Sequence, residues 1–195
     1  VRNENEELRR YVHIATGNYN PTTSKIYTDL GLLTSDEEIG EDASDLFNFL
    51  TGYSYQTEYR QLLVAPINLR ERMLAMIDRE TAHKQNGKDG RIIVKINSLT
   101  DDKIVRALYR ASQAGVKIDL IVRGSCMLRP GVSGLSQTVS VRSIVGRFLE
   151  HSRIFHFRNG GDDEVYIQGS DDRRPARREA FQPRPYSVWR GHRRR

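Results

Sequence analysis

The sequence predicts an α/β fold with βαβ units and a mixed sheet. The clearest observation is the stretch 91–123, in which two apolar strand patterns enclose one helical pattern. Such a unit places its strands in parallel, because the helical crossover returns the chain to the same end of the sheet. A second observation is a pair of strand patterns, 152–158 and 164–170, joined by the turn sequence NGGDD. This pair predicts an antiparallel hairpin, so the sheet contains both orientations.

The first elements of the chain form a small unit that ends at residue 52. Residues 11–15 predict a short strand. Residues 35–52 begin with acidic residues and end at a glycine, which are start and stop signals of a helix. The apolar face of this helix is predicted at Leu46, Phe47 and Leu50.

The following elements alternate between strand and helix. Residues 61–66 predict a buried strand, and residues 68–87 predict a helix with Asn68 as its N-cap. In the βαβ unit, Thr100 is the predicted N-cap of the helix. The inward residues predicted for the last strand of that unit are Val116, Ile118, Leu120 and Val122.

The net positive charge of the chain comes from its last 25 residues. The formal net charge is +6 for 195 residues, and residues 171–195 hold nine arginines against three acidic residues, so they account for all of it. Net attraction to polyanions is therefore a property of this segment and not of residues 1–170. The segment also holds three of the six prolines and no apolar period. Its composition predicts disorder or a foreign C-terminus.

His151 is the first candidate for a catalytic residue. Glu150 precedes it and is expected to orient the imidazole, and Arg153 is expected on the same strand face. Gly160 and Gly161 permit close approach of a backbone to a ligand. A histidine in such surroundings can transfer protons or carry a phosphoryl group. A packed strand-end histidine fits the same spacing, so the residues alone leave both interpretations open.

Arg123 is a candidate for anion binding. It ends a predicted buried strand and is followed by glycine, and a guanidinium fits phosphate in a bidentate manner. The alternative is a strand-end arginine in a surface ion pair. The chain contains neither a phosphate-binding loop of the Gly-Lys-Ser/Thr type nor a Gly-x-Gly-x-x-Gly motif, so nucleotide binding would have to use other devices.

Three long stretches resemble bacterial polyphosphate kinases of the ATP-polyphosphate phosphotransferase type. They are YVHIATGNYNPTTSKIYTDLGLLTSDEEI, NSLTDDKIVRALYRASQAGVKIDLIVRGSCMLRPGV and RFLEHSRIFHFRNGGDDEVYIQGS, and they occur in the family's order. The resemblance implies a phospholipase D-like fold, in which two similar α/β domains share one active site. It divides the chain into residues 1–52, the end of the first such domain, residues 53–170, most of the second, and residues 171–195, an atypical tail.

The resemblance also implies a reaction, the reversible transfer of the terminal phosphate of ATP to inorganic polyphosphate through a phosphohistidine and with Mg²⁺. In the family the phosphorylated histidine lies in a Lys-Ile-His-Ala-Lys-like motif shortly before the strand that here begins near Tyr11. The 195 residues contain neither this motif nor the family's upstream magnesium-linked arginines, so we expect them to be inactive alone. The implied partners are ATP, ADP and polyphosphate, with no specific nucleic acid. The implied setting is a cytoplasmic homo-oligomer that can lie peripherally at the inner membrane.

Three residues match the family's site position by position. His151 matches the second active-site histidine, which is expected to protonate the leaving group or to steady the transferred phosphoryl. Arg123 matches an arginine that binds nucleotide phosphate, and Tyr27 matches a tyrosine that contacts ATP. Asn18 and Asn20 are weaker candidates for the wall of the site. The resemblance places no metal ligand in this chain.

The chain departs from the family after Ser170, where the family continues with an Ala-Asp-Trp-Met-like strand. A truncated, a recombined and a frameshifted end are the open interpretations of this departure. Two alternatives to a kinase fragment also stay open. One is a polyanion-binding module, in which the arginine-rich tail with Tyr186 and Trp189 binds nucleic acid or polyphosphate. The other is a non-functional gene remnant.

Overall fold

The structure is a computed structural model. It describes residues 1–17 and 20–169 in full, and it describes the backbone alone for residues 187–192. The first part of the chain contains the strands β1 (Arg2–Glu4), β2 (Glu7–Arg9), β3 (Val12–Ala15), β4 (Tyr27–Thr28) and β5 (Gly31–Thr34) and the helix α1 (Glu37–Leu50). The strand predicted at residues 11–15 and the acidic helix are therefore confirmed. β1 pairs with β2, and β3 pairs with β5, both in antiparallel orientation.

The inward face of α1 includes only one of the three apolar residues predicted for it, because Leu46 packs against the core and the other two are exposed. Phe47 is 68% exposed and Leu50 is 52% exposed, whereas Asp42 is fully buried. The Asp42 carboxylate accepts hydrogen bonds from the backbone N–H groups of residues 60–62, at 2.7–3.0 Å. A buried carboxylate needs such partners, and this contact sets the rotation of the helix.

The second part of the chain forms the main body of the fold. Its elements are β6 (Leu63–Val64), α2 (Leu69–Gln85), β7 (Arg91–Ile96), α3 (Asp102–Gln113), β8 (Lys117–Val122), β9 (Val139–Arg142), β10 (Leu149–Glu150), β11 (Ile154–Phe157), β12 (Glu164–Gln168) and β13 (Ser187–His192). In the described backbone, seven of these strands form one sheet in the order β6-β13-β12-β11-β7-β8-β9. β7, β8 and β9 are parallel, and the other neighbours are antiparallel. The predicted mixed α/β fold, its βαβ unit and its hairpin are confirmed.

The core lies between the sheet and the helices α2 and α3. The four predicted inward residues of the βαβ unit are at most 3% exposed, which confirms the alternation along β8. Of the two predicted helix caps, the position of one is confirmed and the other is wrong. Asn68 occupies the cap position of α2, but its Oδ1 accepts from the Val64 N–H instead, at 2.6 Å. At α3 the cap is Asp101 and not Thr100, because the Asp101 carboxylate accepts from the N–H groups of Lys103 and Ile104.

The tail differs in one place from the expectation of disorder. The backbone of Ser187–His192 forms β13, which pairs with β12 on one side and with β6 on the other. Val188 and Trp189 are residue types that favour strands. The high proline and arginine content of the surrounding tail conceals this strand signal in the sequence. The other residues of the expected tail lie outside the described part of the chain. Among the described residues, no helix is both long and apolar enough to cross a membrane.

Candidate functional site

His151 lies where the chain passes from β10 into β11. β10 pairs in parallel with β4, and the backbone N–H groups of His151 and Ser152 both donate to the Thr28 carbonyl, at 3.2 and 3.1 Å. The residue is only 8% exposed. The first part of the chain therefore supplies the surface against which His151 packs.

Asp29 orients the imidazole of His151. Its Oδ1 lies 2.8 Å from His151 Nδ1 and accepts a second hydrogen bond, also of 2.8 Å, from the Thr16 hydroxyl. Thr16 is fully buried, and its hydroxyl accepts in turn from the Leu30 N–H at 3.0 Å. A carboxylate at Nδ1 favours the tautomer whose proton is on Nδ1, which leaves Nε2 for chemistry.

Sequence reasoning missed Asp29 and assigned its role to Glu150. The Glu150 carboxylate binds Lys95 instead, at 2.5 Å, so the expectation that Glu150 orients the ring is wrong. Asp29 comes two residues after Tyr27 but is far from His151 in the chain. The pairing of β4 with β10 brings the two residues together, and no spacing pattern in the sequence predicts this pairing.

The structure brings Tyr27 into contact with His151. The two ring centroids lie 4.9 Å apart with an angle of 32° between the ring planes. Tyr27 is also the backbone partner of Leu149 in the β4–β10 pair. The tyrosine is thus part of the site wall.

Arg123 reaches the same place from the end of β8. Its Nη1 donates to the Glu150 carbonyl at 3.1 Å. A guanidinium has five N–H donors, so this bond engages one of them. Gly124 allows close packing here, because a Cβ at this position would lie 3.1 Å from the Asn97 carbonyl and 3.1 Å from Ser98 Oγ. The glycine serves the contact between the ends of β7 and β8.

Lys95 joins the residues on either side of His151. Its Nζ lies 2.5 Å from Glu150 Oε2 and 2.5 Å from Ser152 Oγ. The hydrogen bond from Lys95, with a second from Thr28, lowers the pKa of Glu150 below its ordinary value of 4.5. Glu150 is therefore held as a carboxylate beside the site.

Arg153 lines a cavity, and the glycine pair lies in a turn. Arg153 lines a cavity of about 350 Å³ together with Phe155 and Phe157, between the sheet and the helices. Gly160 and Gly161 have positive φ angles and form the turn between β11 and β12. The length of β11, about 13 Å of extended chain, separates them from His151. Their expected role beside His151 is thus wrong, and the turn explains both glycines.

Only one of the two asparagine candidates lies among the described residues. Asn18 lies outside the described residues. Asn20 Oδ1 accepts from the backbone N–H groups of Thr22 and Thr23, which stabilises a turn.

The described side chains contain no cluster of metal ligands. Among them, no three His, Cys, Asp or Glu residues are grouped so as to hold a metal ion. Asp29 and Glu150 are both engaged, with His151 and Lys95 respectively. We therefore assign no step of chemistry in this chain to a bound metal.

The fold and the cluster together define a mixed α/β protein with a histidine and an arginine gathered at one strand end, an arrangement suited to anionic ligands. Residues 1–56 match the model of the polyphosphate kinase C-terminal domain 1, and residues 62–178 match that of the C-terminal domain 2. This chain belongs to the polyphosphate kinase family.

Individual relatives agree with the family models. The chain is 63% identical to the polyphosphate kinase of Synechocystis and 60% identical to that of Thermosynechococcus vestitus, in each case over 171 residues and 88% of this chain. These alignments cover 24% and 23% of the relatives, so the chain spans about a quarter of their length. The crystal structure of polyphosphate kinase from Porphyromonas gingivalis superposes with a TM-score of 0.82 at 38% identity, over 93% of this chain and 29% of that one. The resemblance inferred from the three stretches is confirmed.

Proposed function

We propose that this chain is the part of a polyphosphate kinase that holds the nucleotide phosphates while the terminal phosphate of ATP is transferred to or from inorganic polyphosphate. The observation that carries the proposal is the convergence of Tyr27, Arg123 and His151. They come from three separate stretches of the chain. His151 directly follows β10, Tyr27 pairs with β10 and contacts the His151 ring, and Arg123 donates to the Glu150 carbonyl of β10. Membership of the family supports the same reaction.

His151 acts as the proton donor for the leaving group. The phosphoryl group passes to a histidine in a motif that the 195 residues do not contain, so that an N–P bond forms there. The bond between the γ-phosphorus and the β,γ-bridging oxygen breaks, and ADP leaves with negative charge on that oxygen. His151 gives the proton on Nε2 to this oxygen, and Asp29 at Nδ1 stabilises the imidazolium beforehand.

Arg123 and Tyr27 position the nucleotide. Phosphoryl transfer depends mainly on positioning and on cations that stabilise charge spreading over the phosphate oxygens. Arg123 supplies a permanent positive charge, and its bond to the Glu150 carbonyl fixes the guanidinium close to His151. The Tyr27 ring packs against the imidazole of His151 and presents an aromatic surface to ATP. Mg²⁺ and assembly into a homo-oligomer remain implications of the family resemblance for the intact enzyme.

Binding and labelling experiments on the 195-residue chain test this proposal. We expect ATP to bind, and we expect Arg123→Ala to weaken binding by about tenfold or more, the loss of a charge-assisted hydrogen bond. No acid-labile label should appear on the chain after incubation with γ-labelled ATP. Formation of phosphohistidine on these residues would contradict the assignment of the nucleophile to another segment.

A chain shortened to residues 1–170 tests the polyanion-binding alternative. If the cluster around His151 is the site, the shortened chain keeps ATP binding that is sensitive to Arg123→Ala. Because the cut also removes β13 from the sheet, the full chain with Arg173, Arg174, Arg177 and Arg178 replaced by glutamine makes the same comparison with that strand present. If all binding disappears there too, the arginines of the tail are the binding groups and the proposal is wrong.

A further inference from the structure

We propose that Lys95 is a positioning residue for His151, which fixes the chain on both sides of the histidine and keeps the charge of Arg123 available for phosphate. The inference rests on the proposed role of His151 in phosphoryl transfer. Lys95 lies on β7, outside the three stretches of sequence that carry the resemblance.

The contacts of Lys95 enclose His151. The ammonium group bonds to Glu150 Oε2 and to Ser152 Oγ, each at 2.5 Å, and these are the residues before and after the histidine. The Lys95 side chain is 16% exposed, so water competes weakly for these bonds. One ammonium group has three donors and can hold both partners at once.

Lys95 acts where the backbone ladder stops. The pairing of β11 with β7 ends at Ile154, whose partner is Lys95. Residues 151–153 then cross to β10, which pairs with β4 of the first part of the chain. Residues 151–153 are not paired with β7 through the backbone. The Lys95 side chain links this segment to β7 by two hydrogen bonds instead. His151 is thereby held against Tyr27 and Asp29.

The second effect of Lys95 is electrostatic. Glu150 is adjacent to His151, and its carbonyl already accepts from Arg123. Without Lys95, the Glu150 carboxylate would compete with phosphate for that guanidinium. The ion pair between Lys95 and Glu150 satisfies the carboxylate, so Arg123 keeps its charge for an anionic ligand.

NMR of the 195-residue chain without nucleotide tests the positioning effect. The Tyr27 ring lies 4.9 Å from the His151 ring and shifts its proton signals through the ring current. Lys95→Met should reduce this shift, and Lys95→Arg should restore most of it. The matched control is Arg91→Met, on the same strand and strand face, which breaks the 2.9 Å ion pair of Arg91 with Asp119 and should leave the His151 signals unchanged.

ATP affinity tests the electrostatic effect in the same variants. We expect Lys95→Met to weaken ATP binding about tenfold, Lys95→Arg to restore it within about threefold, and Arg91→Met to have no effect. If the wild type does not bind ATP, the proposed function fails while the NMR comparison still decides the positioning role. If Lys95→Met folds and keeps the His151 shift, the inference is overturned. Should Lys95→Met fail to fold, Ser152→Ala and Glu150→Ala each remove one contact, and unchanged His151 signals in both would overturn it equally.

Discussion

The Asp29 carboxylate determines which nitrogen of His151 can meet a substrate. It accepts from Nδ1 and is itself held by the Thr16 hydroxyl, so the imidazole has one preferred orientation. The resemblance to polyphosphate kinases identified His151, Tyr27 and Arg123 from sequence. Asp29 could not be found in this way, because its role depends on a strand pair between distant parts of the chain.

Replacement of Asp29 should change the tautomer of His151. In Asp29→Ala the Nδ1 proton loses its acceptor, and the neutral ring should shift toward the form with the proton on Nε2. Two-dimensional ¹H–¹⁵N NMR of the imidazole measures this directly. Asp163→Ala is the matched control, since Asp163 binds Nε2 of His156 at 3.0 Å and not His151. Unchanged His151 nitrogen shifts in Asp29→Ala would contradict the assigned pair.

Gly17 gives an independent test of the same geometry. A Cβ at Gly17 would lie 2.9 Å from Asp29 Oδ2, so Gly17→Ala must displace the carboxylate. We expect the His151 nitrogen shifts to move in the same direction as in Asp29→Ala, and ATP binding to weaken about threefold, at the lower end of the effect of one hydrogen bond. A Cβ at Gly146 meets nothing within 4 Å, so Gly146→Ala should change neither quantity.

At the scale of elements, a partly buried ion pair joins α2 to β12. Arg79 donates to both carboxylate oxygens of Glu164, at 3.2 and 2.7 Å, and Glu164 is fully buried. Arg79→Met should lower the free energy of unfolding by about 3 kcal/mol, because it leaves a buried carboxylate without its cation. Urea denaturation measures the loss. The exposed pair of Arg110 and Asp78 is the control, and Arg110→Met should cost less than about 1 kcal/mol.

Glu80 makes the packing of α2 sensitive to pH. Burial raises the pKa of Glu80, although the N–H groups of Asn159 and Arg91 donate to its carboxylate and offset part of the effect. Because the pKa of Glu80 is higher in the folded state than in the unfolded state, folding favours the protonated carboxyl group. The contribution to stability is therefore full below the ordinary value of 4.5 and is lost as the pH rises through the folded value.

Glu80→Gln isolates this titration. The difference in unfolding free energy between wild type and Glu80→Gln should fall as the pH rises from 4.5, since only the wild type acquires a buried charge. Urea unfolding at a series of pH values gives the difference curve. A constant or rising difference would show that burial does not control this carboxyl.

The elements themselves were predictable where one pattern dominates. The alternation along β8 and the βαβ unit follow from the spacing of apolar residues, which a buried parallel strand requires. The inward face of α1 was only partly predictable: Leu46 packs against the core as predicted, but the buried Asp42, with its bonds to residues 60–62, was not foreseen. β13 was concealed by the composition of the tail around it. In both of these cases a contact distant in sequence outweighs the local pattern.

At the scale of the whole molecule, the site requires both parts of the chain. Tyr27 and Asp29 come from the first part, and Arg123 and His151 come from the second. The boundary predicted at residue 52 remains a prediction, but the pair of β4 and β10 supports placing the site across it. Such a site forms only when the two parts are folded together.

The most direct test of this account is an ATP titration of the 195-residue chain followed by NMR of the side chains of Tyr27, Arg123 and His151. All three signals should shift together and saturate with a single dissociation constant, and Arg123→Ala should raise the dissociation constant measured from the Tyr27 and His151 signals. If the His151 and Tyr27 signals stay unchanged while the arginine signals of residues 171–195 shift, ATP binds elsewhere and the central claim is contradicted.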